Sequence, residues 1–185
     1  MSSLEPKSVC VPELDTERLH LHGPSIEDFT YSAAMWTDPA VVRYTTKKPQ
    51  TREESWTRFL RYVGHWSVFG FGYWFVEEKA TGTFIGEIGF ADYKREIAPS
   101  LEGMPEIGWI LVSSAHGKGL ATEAVRAAVA WGDKHFSADH TSCIIAPENL
   151  ASIRVAQKCG YHEWQKTTYK GDPVNLYVRD RIMSV

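Results

Sequence analysis

Glu106-Ile107-Gly108-Trp109-Ile110-Leu111-Val112, continued a few residues later by His116-Gly117-Lys118-Gly119-Leu120-Ala121-Thr122, sets the architecture of this chain. The first segment is an apolar run with aromatic and β-branched residues and reads as a strand. The second is a glycine-bearing turn that opens a helix. From Gly119 to about Phe136, the residues Ala121, Ala124, Val125, Ala128 and Val129 recur at helical spacing on one stripe, with Arg126, Asp133 and Lys134 turned away. The small alanines let this helix lie close on a sheet. Thr141 to Ala146 then reads as a strand, so the unit is strand, helix, strand, and its two strands are parallel. A turn between a strand and a helix N-terminus favours an anion, because main-chain N–H groups and the positive helix end converge there. Glycine removes the Cβ that would keep phosphate oxygens at a distance.

Working outward from that unit, residues 1–13 carry Ser, Pro and charge without periodicity and read as a loose arm. A strand is expected from Thr16 to His22, ended by Gly23 and Pro24. Ser25 and Asp28 form a capping-box pattern for a helix through about Met35, and a second helix is expected from Arg52 to Trp66. Gly72 to Glu78 and Thr83 to Tyr93 read as an antiparallel hairpin around Thr81-Gly82. Beyond the central unit come a turn at Pro147 to Asn149, a helix from Ala151 to Cys159 stopped by Gly160, and a hairpin of Tyr161 to Tyr169 with Val174 to Arg179. The expectation is one α/β domain over residues 14–182, its sheet mixed and mostly antiparallel around a central parallel pair, with helices on both faces.

Bulk properties narrow the function classes. Apolar residues make up 43% and charged residues 23% of the 185, as in ordinary globular domains. A formal net charge of -3 offers no extended positive field for nucleic acid. Cys10, Cys143 and Cys159 fit neither a disulfide framework nor a metal-ligand spacing, which suits a reducing cytoplasm. His135 and His140 lack a further ligand at metal spacing, so no metal is expected. No apolar run is long enough to span a membrane and no leader-like start is seen. A homodimer is compatible with the sequence.

The turn fails two familiar phosphate-binding patterns. Leu120 follows Gly119 where a P-loop requires Lys-Ser/Thr after its glycine, and Thr122 stands where a dinucleotide fingerprint needs glycine or alanine. What the turn resembles is the coenzyme A loop of GNAT acetyltransferases (Gln or Arg, two residues, Gly, one residue, Gly or Ala), read here as His116, Gly119 and Ala121. Thr16-Glu17-Arg18-Leu19, the Glu106–Val112 run, Thr122-Glu123-Ala124, Asn149-Leu150-Ala151-Ser152 and Lys158-Cys159-Gly160-Tyr161 are similar to the RimJ/RimL-like branch, in the same order, over roughly residues 14–180.

That resemblance implies an acetyl-CoA-dependent transfer of acetyl to a primary amine, either a protein N-terminal amine or a small molecule. The central parallel pair would splay to admit the cofactor. The pantetheine arm would bond main-chain groups at Ile110, Leu111 and Val112, the pyrophosphate would meet Gly117, Lys118, Gly119, Leu120, Ala121 and Thr122, and Asn149 and Ser152 would bond the pantetheine or nearby backbone. His116 stands at the Gln/Arg position, where it either contacts coenzyme or caps the loop. Lys118, Arg154 and Lys158 are available to offset phosphate charge. Ala156 stands where many members carry a tyrosine acid, leaving Ser152, Tyr161 or water to protonate the thiolate. Glu106 is the first candidate base and Glu87 the second, against the reading of each as a solvated strand-end charge. Trp36 and Tyr44, flanking Asp38-Pro39, are candidates for lining the acceptor pocket. The loss of the tyrosine also leaves open a catalytically silent acyl-CoA-binding module, and a nucleotide-phosphate binder is a third reading of the turn.

Overall fold

The computed structural model describes residues 10–182, so most of the expected N-terminal arm lies outside the described residues. Residues 10–13 lack regular secondary structure but are held in place, in contrast to the loose arm expected. Val11 packs on the main core, Trp74 Nε1 donates to the Pro12 carbonyl at 2.7 Å, and a Cβ on Gly23 would come within 2.6 Å of Val11 Cβ.

The first expected strand begins only at Leu19, and a further short strand precedes it. β1 (Leu14–Asp15) pairs antiparallel with β2 (Leu19–His22), and between them the Thr16 amide donates to the Leu19 carbonyl at 2.9 Å in a tight turn. A single 3-10 turn over Ile26–Asp28, where the Ser25 amide donates to the Asp28 carboxylate at 2.8 Å, leads into α1 (Phe29–Thr37). Asp38 accepts from the Ala40 amide and starts a one-turn helix, α2 (Pro39–Val42), at what the sequence suggests is only a bend. The reciprocal Thr51 and Glu54 capping box opens α3 (Arg52–Phe69), which runs on past Trp66 until Gly70 takes a φ of 71°.

β3 (Tyr73–Glu78), β4 (Thr83–Ala91) and β5 (Glu106–Leu111) follow as an antiparallel meander. Then come α4 (Leu120–His135), β6 (His140–Ile145), α5 (Leu150–Lys158), β7 (His162–Tyr169) and β8 (Asp172–Asp180). The strands form one sheet in the order β1-β2-β3-β4-β5-β6-β8-β7, in which β5–β6 is the parallel pair. The α4 crossover joins those two strands.

Strand alternation divides the core between the two faces. Trp74, Val76, Ile85 and Ile88 join Ala124, Val125 and Ala128 of α4 on one face, where Trp74 meets Trp66 and Trp131 edge-on at 4.8 and 5.1 Å. Tyr73 and Phe75 turn to the other face, beneath Phe29, Trp36, Phe59 and Tyr62 of α1 and α3. Trp66 and Trp74 with Trp131 on one face, and Phe29, Trp36, Phe59, Tyr62, Tyr73 and Phe75 on the other, are buried as packing. Among the described residues no helix is long and apolar enough to cross a membrane.

Candidate active site

At the centre of the sheet two neighbouring strands part company. β5 and β6 are in register at Glu106 and Ser142, where the Ser142 amide also donates to the Pro105 carbonyl at 3.0 Å, and no pairing between them continues beyond that among the described residues. The strands are therefore joined at their N-terminal ends and open at their carboxyl ends. Both following helices, α4 and α5, begin at the open end. Open α/β sheets bind ligands outside the carboxyl ends of their strands, which is where this opening lies.

The Val112 amide donates to the Ile85 carbonyl at 2.9 Å, across β4. Main-chain groups alternate along a strand, so Ile110 also bonds toward β4 (it pairs with Glu87), while Trp109 and Leu111 face the opening. The Leu111 carbonyl already accepts from His116 Nε2 at 3.0 Å. Beyond the Glu106–Ser142 pairing, the Trp109 N–H and C=O and the Leu111 N–H lie on the edge of β5 that faces the opening. Of the expected trio Ile110, Leu111 and Val112, Leu111 has its N–H on that edge, while Ile110 and Val112 bond toward β4. His116 ties the turn back to β5 through its bond to the Leu111 carbonyl.

The turn itself is open. After a 3-10 turn over Ser113–Ala115, Gly117 and Gly119 adopt φ values of 74° and 79°, in the left-handed region that favours glycine. Among the described residues the amides from Gly117 to Thr122 have no protein acceptor; the Glu123 amide is the first to bond, to the Gly119 carbonyl at 3.1 Å. These are the donors that a helix N-terminus leaves for an anion. Across the opening, Asn149 Oδ1 accepts from the Ser152 amide at 3.2 Å and caps α5, which leaves the Asn149 side-chain amide group and the Ser152 hydroxyl without a protein partner among the described residues. Lys118, Arg154 and Lys158 are exposed.

The candidate proton-transfer groups are more enclosed than the sequence suggests. Glu106 is buried, and both of its oxygens accept from Arg95, at 2.5 Å from Nε and 2.6 Å from Nη2. The Arg95 guanidinium lies over the rings of Tyr93 and Tyr169; burial works against its charge, but the Glu106 carboxylate holds its pKa above the usual value. With both oxygens bonded to Arg95, the buried Glu106 is not the solvated strand-end charge of the alternative reading. Glu87 is fully buried and accepts from Ser32 Oγ, from Trp36 Nε1 at 3.0 Å and from Tyr62 Oη at 3.0 Å. Burial pushes its carboxyl pKa up against the pull of those donors.

Trp36, a candidate for lining the acceptor pocket, and Glu87, the second candidate base, are therefore bonded to each other in the interior. Trp36 is buried, with the Arg58 guanidinium 3.6 Å from its ring centre. Tyr44 is partly exposed outside this cluster, with Arg43 over its ring. Tyr161 is 2% exposed and its hydroxyl shares a 2.7 Å hydrogen bond with Thr141, at the joined end of the strand pair; burial raises its pKa far above the ordinary tyrosine range. Ser152 alone among the candidate acids stands at the opening.

A cavity of about 150 Å³ is lined by Tyr93, Arg95, Leu101, Met104 and Glu106. The larger cavity, about 310 Å³, lies between the ends of α3 and α4, on the joined side of the strand pair and away from the turn. The amides without acceptors among the described residues line the opening and neither cavity. The one group of described residues that could gather around a metal ion, His22, Asp28 and Glu77, is on β2, β3 and the turn before α1, away from the opening.

Sequence reasoning passed over Trp109, Arg95 and the contacts of Arg18. The alternation of β5 could have singled out Trp109 once one strand pairing was known. Arg95 sits in a loop with no periodic signal.

A mixed sheet whose parallel pair opens onto an unpaired helix N-terminus defines an α/β protein able to seat an anionic, extended ligand. Residues 18–162 match the family model described as acetyltransferase (GNAT) domain. The uncharacterized Bacillus subtilis (strain 168) protein YkkB is 32% identical over 172 residues, covering 90% of this chain and 95% of its own. A Bordetella pertussis structure assigned to the GnaT family superposes with a TM-score of 0.81 at 27% identity, over 91% of this chain and 99% of that one. RimL, described as a ribosomal L7/L12 α-N-protein acetyltransferase in complex with coenzyme A, shares the fold at a TM-score of 0.74 and 15% identity, over 91% and 98%. The chain belongs to the GNAT acetyltransferase family.

Proposed function

We propose that this protein transfers acetyl from acetyl-CoA to a primary amine by direct attack within a ternary complex. The observation that carries this reading is the run of unpaired amides from Gly117 to Thr122 beside the unpaired edge of β5. The residues fit the cofactor's two chemistries. The amides and the exposed Lys118, Arg154 and Lys158 offer donors and positive charge to phosphate, and the Trp109 and Leu111 main chain offers strand-like bonds to the amides of pantetheine. Asn149 and Ser152 present free donors from the opposite helix. Acetyl-CoA supplies the activated thioester, and Ser152 or water returns a proton to the departing sulfur.

The enclosed carboxylates bear on the acceptor. An ammonium must lose its proton before it can attack. With Glu106 tied to Arg95 and Glu87 sealed behind Trp36, that proton leaves to water, at a cost set by the amine. Near pH 7 an α-amino group costs about 1 kcal/mol and a lysine-like amine about 4.6 kcal/mol. The reading therefore favours a low-pKa amine such as a protein N-terminus, the class of amine named for RimL. Thiol release from acetyl-CoA over a panel of N-terminal peptides, polyamines and aminoglycosides tests this, beside a coenzyme A titration. Turnover greatest on α-amines is expected. Binding without turnover would favour the silent module, for which Ala156 and the engaged Tyr161 hydroxyl speak; protection by ATP or NAD but not coenzyme A would overturn both.

A further inference from the structure

Thr16-Glu17-Arg18-Leu19 is a motif that the site as described leaves unused, yet the fold brings it against the anion turn. Glu123, in the first turn of α4, has both carboxylate oxygens occupied by it. Oε1 accepts from Thr16 Oγ1 at 2.6 Å and from the Arg18 amide at 2.9 Å, while Oε2 accepts from Arg18 Nε at 2.7 Å and Nη2 at 2.6 Å. The remaining guanidinium nitrogen, Nη1, donates to the Lys118 carbonyl at 3.1 Å. The motif is anchored from behind, since the Lys79 amide donates to the Arg18 carbonyl and Lys79 Nζ to the Thr16 carbonyl, both at 2.8 Å.

Two physical consequences follow. A trans peptide points its C=O and N–H in opposite directions, so pinning the Lys118 carbonyl on Arg18 turns the Gly119 N–H away from it, and that N–H is one of the unpaired donors. The second concerns charge. Burial opposes ionisation of Glu123, but its bonds from Thr16 and Arg18 prevail and hold its carboxyl below the usual range, so it is anionic at neutral pH. An anion in the first turn of α4 repels a diphosphate arriving at the same helix end unless a cation cancels it.

We propose that Arg18 is a positioning residue for the coenzyme: it fixes the Lys118–Gly119 peptide for the diphosphate and cancels the charge of Glu123. The proposal rests on the coenzyme reading above and requires no contact between Arg18 and the cofactor. Its side chain is bonded on both functional ends within the protein, which suits arginine's fixed fork and not lysine's single point of charge.

The test is a titration of wild type, Arg18→Ala, Arg18→Lys and the Arg18→Ala/Glu123→Gln double variant with coenzyme A and, separately, with S-acetylpantetheine, which lacks the diphosphate. Losing one charge-assisted hydrogen bond from a preset turn is expected to raise the Kd for coenzyme A about tenfold in Arg18→Ala and somewhat less in Arg18→Lys. For S-acetylpantetheine the change is expected to stay within about twofold. The double variant should recover part of the loss, because the uncancelled carboxylate is gone. A coenzyme A Kd unchanged in both Arg18 variants, equal losses for the two ligands, or no recovery in the double variant would overturn the inference. Wild-type protein that binds no coenzyme A would instead overturn the coenzyme reading itself, and this inference with it.

Discussion

At Gly119 the demands on one residue can be separated. Its φ of 79° is costly for any side chain, whereas the space around it is not the limit, since a Cβ there would meet only Arg18 Nη2, at 3.7 Å. Gly119→Ala should therefore lower folding stability by about 1–2 kcal/mol through backbone strain, measurable as a shift in the urea midpoint, and should weaken coenzyme A binding. Glu106 gives the opposite kind of prediction. Glu106→Gln leaves the mostly buried Arg95 guanidinium without its anion and should cost about 2–3 kcal/mol of stability, yet leave the shape of the pH–rate profile as in wild type. A profile that lost its rising limb would return Glu106 to the role of base. The sequence singles out Glu106 and Glu87 as candidate bases. It does not show their partners, because Arg95, Ser32 and Tyr62 reach them only through tertiary packing.

Among the elements, the strand–turn–helix unit was legible from residues alone. The apolar run at β5, the two glycines and the alanine stripe of α4 are local patterns, and each specifies its own backbone. What the sequence could not show is how elements meet. The splay of β5 from β6 depends on where pairing stops, and the choice of Trp109 over Ile110 depends on which neighbour Val112 bonds. The split between β1 and β2 escaped for a similar reason, because Thr16 and Arg18 leave the sheet to reach Glu123 on α4. That contact has a pH signature. The carboxyl of Glu123 is depressed in the folded state, so its contribution is complete above the ordinary carboxylate range and is lost as pH falls through its lowered value. Glu123→Gln should destabilise by about 1 kcal/mol at pH 7, a modest figure because Arg18 is well exposed. The difference from wild type in urea midpoint should vanish in acid; a difference that persists there would assign the effect to packing.

For the whole molecule, the sheet divides the labour. One face, with α4 and the indoles of Trp66, Trp74 and Trp131, is a rigid platform; the other, under α1 and α3, holds Glu87 and Trp36 in a sealed polar cluster; and the break between β5 and β6 connects them at the open end. On the proposed function, that break receives an extended anionic ligand. Hydrogen exchange of backbone amides, with and without coenzyme A, reads this residue by residue. The amides from Gly117 to Thr122 lack protein acceptors and should exchange fast in the free protein, and coenzyme A should slow them together with the Trp109 and Leu111 amides. Protection appearing elsewhere while these amides stay fast would contradict the assignment of the cofactor to this opening.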